Sequence, residues 1–545
     1  DKILKLLEDY KQSLNEQNIQ PLNDDYIKFI RFAQWKLLEN NKNPNNSKYG
    51  VMGFITNNSF IYGRTHRKMR ESLFKGFDEI YILNLHGDSK RDLNDKNVFD
   101  IQQGVCISIF VKYQDSTSSC SVKYYSTYDN DIRTRGDKFA LLSSIAYKGL
   151  ESIKWLSLEP SEPYYWFINR EVDESYEDFW ALAKDESLGE TKAIFNTHSS
   201  CITSSNDKIA IQFDKDSLKL IANDFYKLDS KEIAEKYKIK NKVDWDIQKV
   251  KNDITQALKA QENKNIDKLI KPIAYRPFDT RFTLYAGRQG FLGRPRASVM
   301  NQLAWQENIA LCFPKTTLNN TFDYGFVVKN IADRALNGKN TASETYIAPL
   351  YTYNNMMQNA EKSPNFTDEF NEFIKRHKIL KTKTPEEILA YIYATLHNPN
   401  YRKKYKENLK IGFPRIDFKA KKEKFEKFIT LGQKLIKLHL LKNISQDSSI
   451  EVNFSKDANK QNYSKIIKKL KFSDRFKDSK LIINDDLEIN GVGNEMANFS
   501  IGGYLVLDKY LSYRVGMEAD LENLLDICNA IKETLEIYKE LREIK

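Results

Sequence analysis

The chain has 545 residues, of which 41% are hydrophobic and 12% aromatic, enough to bury several cores over roughly two to four domains. No stretch approaches the ~20 consecutive apolar residues of a membrane-spanning helix, the N-terminus has no signal-peptide pattern, and five cysteines without a CxxC pair argue against a zinc site or disulfide framework and fit a reducing cytoplasm. Lys and Arg number 85 against 74 Asp and Glu, and the formal net charge of +11 favours an anionic partner such as nucleic acid, although Lys-rich coding from an AT-rich genome gives the same excess.

Residues 1–126 read as α/β. Apolar residues fall near helical spacing from Tyr26 to Leu38, and Asn40 to Ser47 is a loop by its Asn and Pro content. Val51 to Ile55 is a short buried strand that ends on the polar tip Thr56-Asn57-Asn58-Ser59. The basic stretch Arg64 to Arg70 then leads into a second apolar strand, Phe77 to Leu85. Strand, polar tip, helix, strand is the unit of a parallel α/β sheet, which binds ligands at the carboxyl ends of its strands. Gly104 to Lys112 and Cys120 to Tyr125 are expected to close the sheet as an antiparallel pair around the turn Gln114 to Ser119. Residues 127–193 form a connecting segment of mixed pattern that carries Arg133, Arg135, Lys138 and several aromatics. Beyond it, short strand candidates at Lys208 to Phe213, Arg281 to Tyr285 and Gly325 to Val328 surround a helical stretch at Leu228 to Lys240. From Thr384 the pattern turns helical, with helices at Glu386 to His397, Lys422 to Leu441 and Leu521 to Lys545. Glu361 to Thr367 and Asn443 to Lys460 read as exposed linkers, and no internal repeat is present.

Three sets of residues in this first region suit a ligand pocket or its rim. Asn57, Asn58 and Ser59 either shape its rim or simply cap the next helix and form a turn. Phe99, in Asn97-Val98-Phe99-Asp100-Ile101, either stacks on an unpaired base or packs between strands. Arg64, His66, Arg67 and Arg70 either face phosphates or line a solvated helix face. The densest constellation runs from Ala274-Tyr275-Arg276-Pro277-Phe278-Asp279-Thr280-Arg281-Phe282 through Arg288 and Arg294-Pro295-Arg296 to Met300. Its five arginines are interleaved with Tyr275, Phe278, Phe282, Tyr285 and Phe291. Arginine reads guanine edges bidentately or clamps phosphates, and aromatics hold a loop rigid. Arg276 and Asp279 also suit an ion pair that fixes the turn, with Pro277 setting its angle. Arg288, Arg294 and Arg296 lie on a glycine-containing loop, a better position for DNA. Gly502-Gly503 suits a turn or close backbone approach, since no lysine follows in the P-loop pattern.

The stretch YGVMGFITNNSFIYG, Tyr49 to Gly63, with the RTHRKMRESL that follows it, resembles the later half of an amino-methyltransferase domain that methylates adenine in DNA. The Tyr275 to Arg296 stretch resembles the YRPFD…RPR signature in the C-terminal specificity region of type ISP restriction-modification enzymes and related fused nuclease–methyltransferases. Further matching segments are Ile194-Phe195, Ile202 to Asp207, Ile347 to Tyr351, Leu396 to Arg402, Phe413 to Ile416, Leu431 to Leu440, and Ile501 to Tyr504 with Leu507. The resemblance thus runs nearly the whole length in the expected order. It departs at Ser205-Asn206, where the family often has a basic residue before the Asp.

The resemblance implies a partial Rossmann-like methyltransferase sheet over residues 1–126, the connecting segment, and an α+β target-recognition domain with C-terminal helices over residues 194–545. It implies S-adenosylmethionine as cofactor of the whole enzyme, double-stranded DNA as partner, and a base pocket at Asn57, Asn58, Ser59 and Phe99. It also implies DNA contacts from Arg64, Arg67, Arg276, Arg281, Arg288, Arg294 and Arg296. The chain begins at Asp1, only about fifty residues before the first strand, and neither a glycine-rich cofactor turn nor an Asn-Pro-Pro-Tyr tetrapeptide is found in it. The expectation is therefore the C-terminal portion of a larger site-specific adenine-N6 methyltransferase, with cofactor turn, catalytic motif and any nuclease or translocase upstream. No residue here is assigned as catalytic. Asn398-Pro399-Asn400-Tyr401 differs from the catalytic tetrapeptide at one position but follows a helix, so Pro399 reads as a helix stop. The alternative is a non-catalytic specificity protein that partners a separate modification subunit. The reading frame upstream of Asp1 distinguishes the two.

Overall fold

The computed structural model describes the chain apart from residues 1, 17–18, 41–48, 90–91, 93, 115–118, 171, 186–189, 191, 261–265, 318–321, 339–343, 356–359, 455–462 and 545. Contacts divide it into two compact units, Asp1–Val172 with Asp185–Glu190, and Asp173–Lys184 with Thr191–Lys545. Most of the expected Asn40 to Ser47 loop falls outside the described residues.

The first unit is built on a five-stranded sheet. Its strands are β1 (Gly50–Asn57), β2 (Glu79–His86), β3 (Val105–Lys112), β4 (Ser121–Ser126) and β5 (Leu156–Leu158), in spatial order β1-β3-β2-β4-β5. β3 is antiparallel to both β1 and β2, whereas β2 and β4 are parallel. β1 and β2 thus point the same way, with β3 threaded between them. The expected antiparallel pairing of Gly104 to Lys112 with Cys120 to Tyr125 is corrected: β2 lies between those segments, and most of the turn proposed to join them is outside the described residues. The physical reason is that β2 carries apolar side chains on both faces, with Ile80, Ile82, Leu83 and Leu85 all buried. Such a strand belongs in the middle of a sheet. Asp78 fixes the register on both of its edges. Its carboxylate accepts from Lys112 Nζ (2.9 Å) and the Tyr113 amide (2.7 Å), and its carbonyl accepts from the Ser121 amide (2.8 Å). Helices Lys2–Lys11, Asp25–Leu38 and Arg67–Gly76 contribute Leu7, Ile27, Ile30, Met69 and Leu73 to the core against Met52 and Phe110.

The second unit combines several small sheets with helices. A hairpin of Ile270–Arg276 and Asp279–Leu284 gains a parallel third strand, Ile331–Ala332. A separate four-stranded sheet runs Phe326–Val328, Ala310–Pro314, Thr345–Pro349, Ser199–Ser200. The helices Pro385–His397, Lys422–His439 and Leu521–Glu543 lie within a residue or two of the expected ranges. The first of them begins with a capping box between Thr384 and Glu387 and a proline in its first turn, which satisfies otherwise orphaned amides. It stops at Asn398-Pro399, and Asn398 caps the next short helix, Pro399–Lys404. Gly502 has φ +62°, and a Cβ there would collide with the Asn337 carbonyl, so the close backbone approach expected of this glycine is present.

Three further expectations are corrected. Lys208 to Phe213 is not a strand. Residues Asp207–Ala210 form one helical turn, because the Asn206 carbonyl accepts from the amides of Ile209 (3.1 Å) and Ala210 (2.9 Å), and only Gln212 bridges to Phe282. Glu361 to Thr367 is not an exposed linker. Lys362–Pro364 pairs with Tyr351–Tyr353, and the buried Asn365 side chain ties the Thr197 and Pro349 backbone together. Within Asn443 to Lys460, Val452–Phe454 pairs with Leu487–Asn490, and the rest from 455 lies outside the described residues. Among the described residues, no helix is long and apolar enough to cross a membrane, and no group of His, Cys, Asp and Glu could hold a metal ion.

Candidate nucleic-acid interface

The polar tip of β1 is a locked turn. Asn57 Oδ1 accepts from the Ser59 amide (2.8 Å), as an Asn side chain does when it mimics a backbone turn. Its Nδ2 donates to Gln103 Oε1 (3.0 Å). Asn58 is buried. Its amide donates to the Gly104 carbonyl (3.0 Å), and its Nδ2 donates to Oδ1 of Asn84 near the carboxyl end of β2 (2.9 Å). Ser59 Oγ and the Tyr26 hydroxyl share a hydrogen bond of 3.0 Å. The Phe99 segment is tethered to the same end, since Asn97 Nδ2 donates to the carbonyls of Gly87 (3.0 Å) and Gln103 (2.7 Å). Phe99 itself is 46% exposed and does not pack between strands. Asn57, Asn58, Ser59 and Phe99 therefore gather at one end of the sheet.

The basic stretch after the tip is not a solvated helix face. Arg64 pairs with Asp185 (2.6 Å), and Arg67, almost fully buried, pairs with Glu16. Arg70 is completely buried and donates to the carbonyls of Phe60, Gly63, Tyr164 and Tyr165 at 2.6–2.9 Å, under the ring of Trp166. Burial, with the neighbouring Arg70 charge adding to it, pushes the His66 imidazole down to about 3. Arg70 thereby ties the helix Arg67–Gly76 to residues Tyr164, Tyr165 and Trp166.

In the second unit the arginines of the hairpin are matched to carboxylates. The expected Arg276–Asp279 pair is corrected. Arg276 Nη1 pairs with Asp333 (2.7 Å), while Asp279 accepts from Arg281 (2.8 Å) and Arg514 (2.6 Å). Asp333 follows the parallel strand Ile331–Ala332, and its amide donates to the Ala274 carbonyl (3.0 Å), so a carboxylate from a distant segment arrives beside Arg276. Burial pushes the Asp333 carboxyl upward, and Arg276 pulls it the other way. Arg281 also lies over the rings of Phe213 and Tyr275, each 4.1 Å from its guanidinium carbon.

The loop that follows divides its arginines. Arg288 Nε donates to Asp253 (2.5 Å), whose other carboxylate oxygen accepts from the Phe291 amide (3.0 Å). Arg294 is 54% exposed, and its closest carboxylate contact is Asp244 at 4.0 Å. Arg296 adopts a left-handed backbone (φ +55°) just before the helix Ala297–Ala304, and its buried Nε has no hydrogen-bond partner among the described residues. A left-handed arginine persists only where its surroundings over-determine it, and such residues cluster at functional sites. Thr203 and Arg294 exchange backbone hydrogen bonds (3.1 and 3.0 Å). Gly293 packs closely on Ser205, and a Cβ there would meet Ser205 Oγ and force that side chain to shift. Ile202 to Asp207, where the sequence departs from the family pattern, thus lies against the loop that carries Arg294 and Arg296. The matching order of the two segments was visible in sequence, but their contact was not. Nothing local to Arg276 signals Asp333 either.

The Type ISP C-terminal specificity domain matches residues 193–540 of this chain. No curated protein matches it. Solved structures similar to it include the ATP-dependent Type ISP restriction-modification enzyme LlaBIII bound to DNA, with a TM-score of 0.76 at 22% identity over 100% of this chain and 35% of that one. A nuclease-deletion mutant of the Type ISP restriction-modification enzyme LlaGI, in complex with a DNA substrate mimic, gives 0.72 at 21% identity over 100% of this chain and 50% of that one. The DrdV–DNA complex gives 0.72 at 19% identity over 99% of this chain and 54% of that one. At such identities the likeness is one of fold, and this chain spans 35% to 54% of the length of those chains.

Proposed function

The chain belongs to the family of Type ISP C-terminal specificity domains, and from that premise we propose that it is the target-recognition portion of a site-specific DNA restriction-modification enzyme. The observation that carries this reading is the Arg294-Pro295-Arg296 loop within the matched segment. The Arg294 backbone is pinned by Thr203, and among the described residues neither guanidinium has a carboxylate closer than the 4.0 Å of Asp244. A positioned guanidinium without a close carboxylate offers its fork of donors to phosphate oxygens or a guanine edge. The net charge of +11 adds long-range attraction to a polyanion.

In the finer reading, residues 1–126 belong to a methyltransferase domain that modifies the N6 amine of an adenine flipped out of the duplex. S-adenosylmethionine supplies the methyl group when bound. Its cradle does not fit the tip of β1, where the Asn58 and Ser59 amides are already taken by Gly104 and Asn57, so no step is assigned to it here. What this chain offers the base is the exposed Phe99 ring as a stacking surface, at the same end of the sheet as the hydrogen-bonded Asn57–Ser59 turn. The catalytic motif, and any nuclease, belong in this reading to the upstream portion of the same enzyme.

Selection of duplexes from a random pool by the chain tests the reading. One motif should be enriched, and its affinity should fall by orders of magnitude between about 50 and 200 mM salt. Retention without enrichment, or without salt dependence, contradicts it.

A further inference from the structure

We propose, resting on the recognition reading above, that Arg334 is a second DNA-reading side chain, held beside Arg294 on one face of a three-segment ladder. Thr203 forms an antiparallel bridge with Arg294, and Ile202 forms a parallel bridge with Asp333 on the other edge. The Ile202 amide donates to the Ala332 carbonyl (2.9 Å), and the Arg334 amide donates to the Ile202 carbonyl (2.8 Å). The Arg334 carbonyl accepts from the Thr345 amide (3.1 Å), so the Arg334 backbone is held on both sides.

Paired residues of neighbouring strands project to the same face, and successive residues alternate. Ile202 and Asp333 are paired and both buried, with Asp333 bound to Arg276. Their successors, Thr203 and Arg334, therefore project to the opposite face, and Arg294 joins them as the partner of Thr203. Burial agrees, because Arg294 is exposed while Thr203 and Arg334 are half-buried. At ~4.8 Å between neighbouring strands, the Arg294 and Arg334 backbones stand roughly 10 Å apart. That is about three base steps along a DNA strand at ~3.4 Å each.

The two faces of this ladder differ in charge balance. Inward, Arg276 and Asp333 neutralise each other. Outward, no hydrogen bond or ion pair joins the Arg334 guanidinium to another described residue, and Thr203 Oγ1 is buried without a partner between the two arginines. Two arginines with fixed backbones, flanking an unmatched polar atom, fit an acceptor-rich, anionic ligand. Phosphate oxygens and a guanine edge both supply that chemistry.

The test compares the full chain with its Arg334→Ala and Arg334→Lys variants on the duplex enriched by selection and on a scrambled duplex, across 50–200 mM salt, with thermal melting alongside. Arg334→Ala should weaken binding roughly 5- to 150-fold at an unchanged melting temperature. Loss confined to the enriched duplex, unrescued by Lys, assigns Arg334 to a base edge. Loss on both duplexes, with the salt slope reduced by about one and partial rescue by Lys, assigns it to a phosphate. If Arg334→Ala does not fold, Arg334→Gln, which keeps the stem and a donor, takes its place. Wild-type affinity and slope in the variants, or a lowered melting temperature with binding intact, overturns the proposal. A wild-type chain that binds no duplex overturns the recognition reading first, and this inference with it.

Discussion

Arg276, Arg281 and Arg514 at the hairpin meet Asp333 and Asp279 at 2.6–2.8 Å, whereas Arg294 and Arg296, on the loop that follows the same hairpin, have no carboxylate within 3.5 Å among the described residues. The first group is nearly buried, whereas Arg294 reaches solvent and Arg296 is half-buried. Arginine density in the sequence therefore does not measure contact with DNA. Desolvation sorts the arginines, because a buried guanidinium must be matched inside the fold, and only an accessible one is left to meet a ligand. The basic stretch of the first unit repeats the inward case, with Arg67 on Glu16 and Arg70 on four backbone carbonyls.

The largest effect should come from breaking the inward group. Asp279→Ala leaves Arg281 and Arg514 without their shared carboxylate in a buried site, and should cost about 3–5 kcal/mol of stability in urea denaturation. A cost below about 1 kcal/mol would show that these arginines find solvent and would erase the contrast with the loop.

Histidine sharpens the same comparison at the next scale. Burial, more than the charge of Arg70 beside His66 or of Arg402 near His439, pushes both imidazoles down to about 3, so both are neutral in the folded protein. An unfolded histidine titrates near ~6.5. Between about pH 6.5 and 3 the unfolded chain therefore binds the extra proton, and stability falls as the pH falls, by about 2 kcal/mol per histidine at pH 5. Denaturation of the wild type, His66→Gln and His439→Gln at pH 7.5 and 5 checks this. Each variant should lose its share of the pH dependence, and an unchanged dependence in both variants would refute the buried neutral state.

The parts of this fold that were legible in sequence are those set by local pattern. The Thr384 cap and Asn398-Pro399 stop delimit a helix, and short apolar runs mark β1 and β3, although Val51 and Ile55 are exposed rather than buried because β1 lies at the edge of its sheet. What stayed hidden depends on partners far along the chain. β2 separates β3 from β4 because its two buried faces need neighbours on both edges, and hairpin-like spacing cannot reveal a third strand inserted between two others. Lys208 to Phe213 has strand-like composition, yet the Asn206 carbonyl captures it into a turn of helix. At the site, the five arginines were visible, but their division was not. It depends on Asp333, Asp253 and Asp279, of which the sequence singled out only the last, and with the wrong partner.

The most direct measurement is duplex binding by the Arg294→Ala/Arg296→Ala chain, read beside its melting temperature and against the wild type. The account predicts binding weaker by about 1–3 kcal/mol for each arginine that touches DNA, with a shallower salt slope where the contact is to phosphate, and an unchanged melting temperature. Full affinity with full stability in this variant would contradict it, because the arginines left unmatched by the fold would then have no ligand to meet.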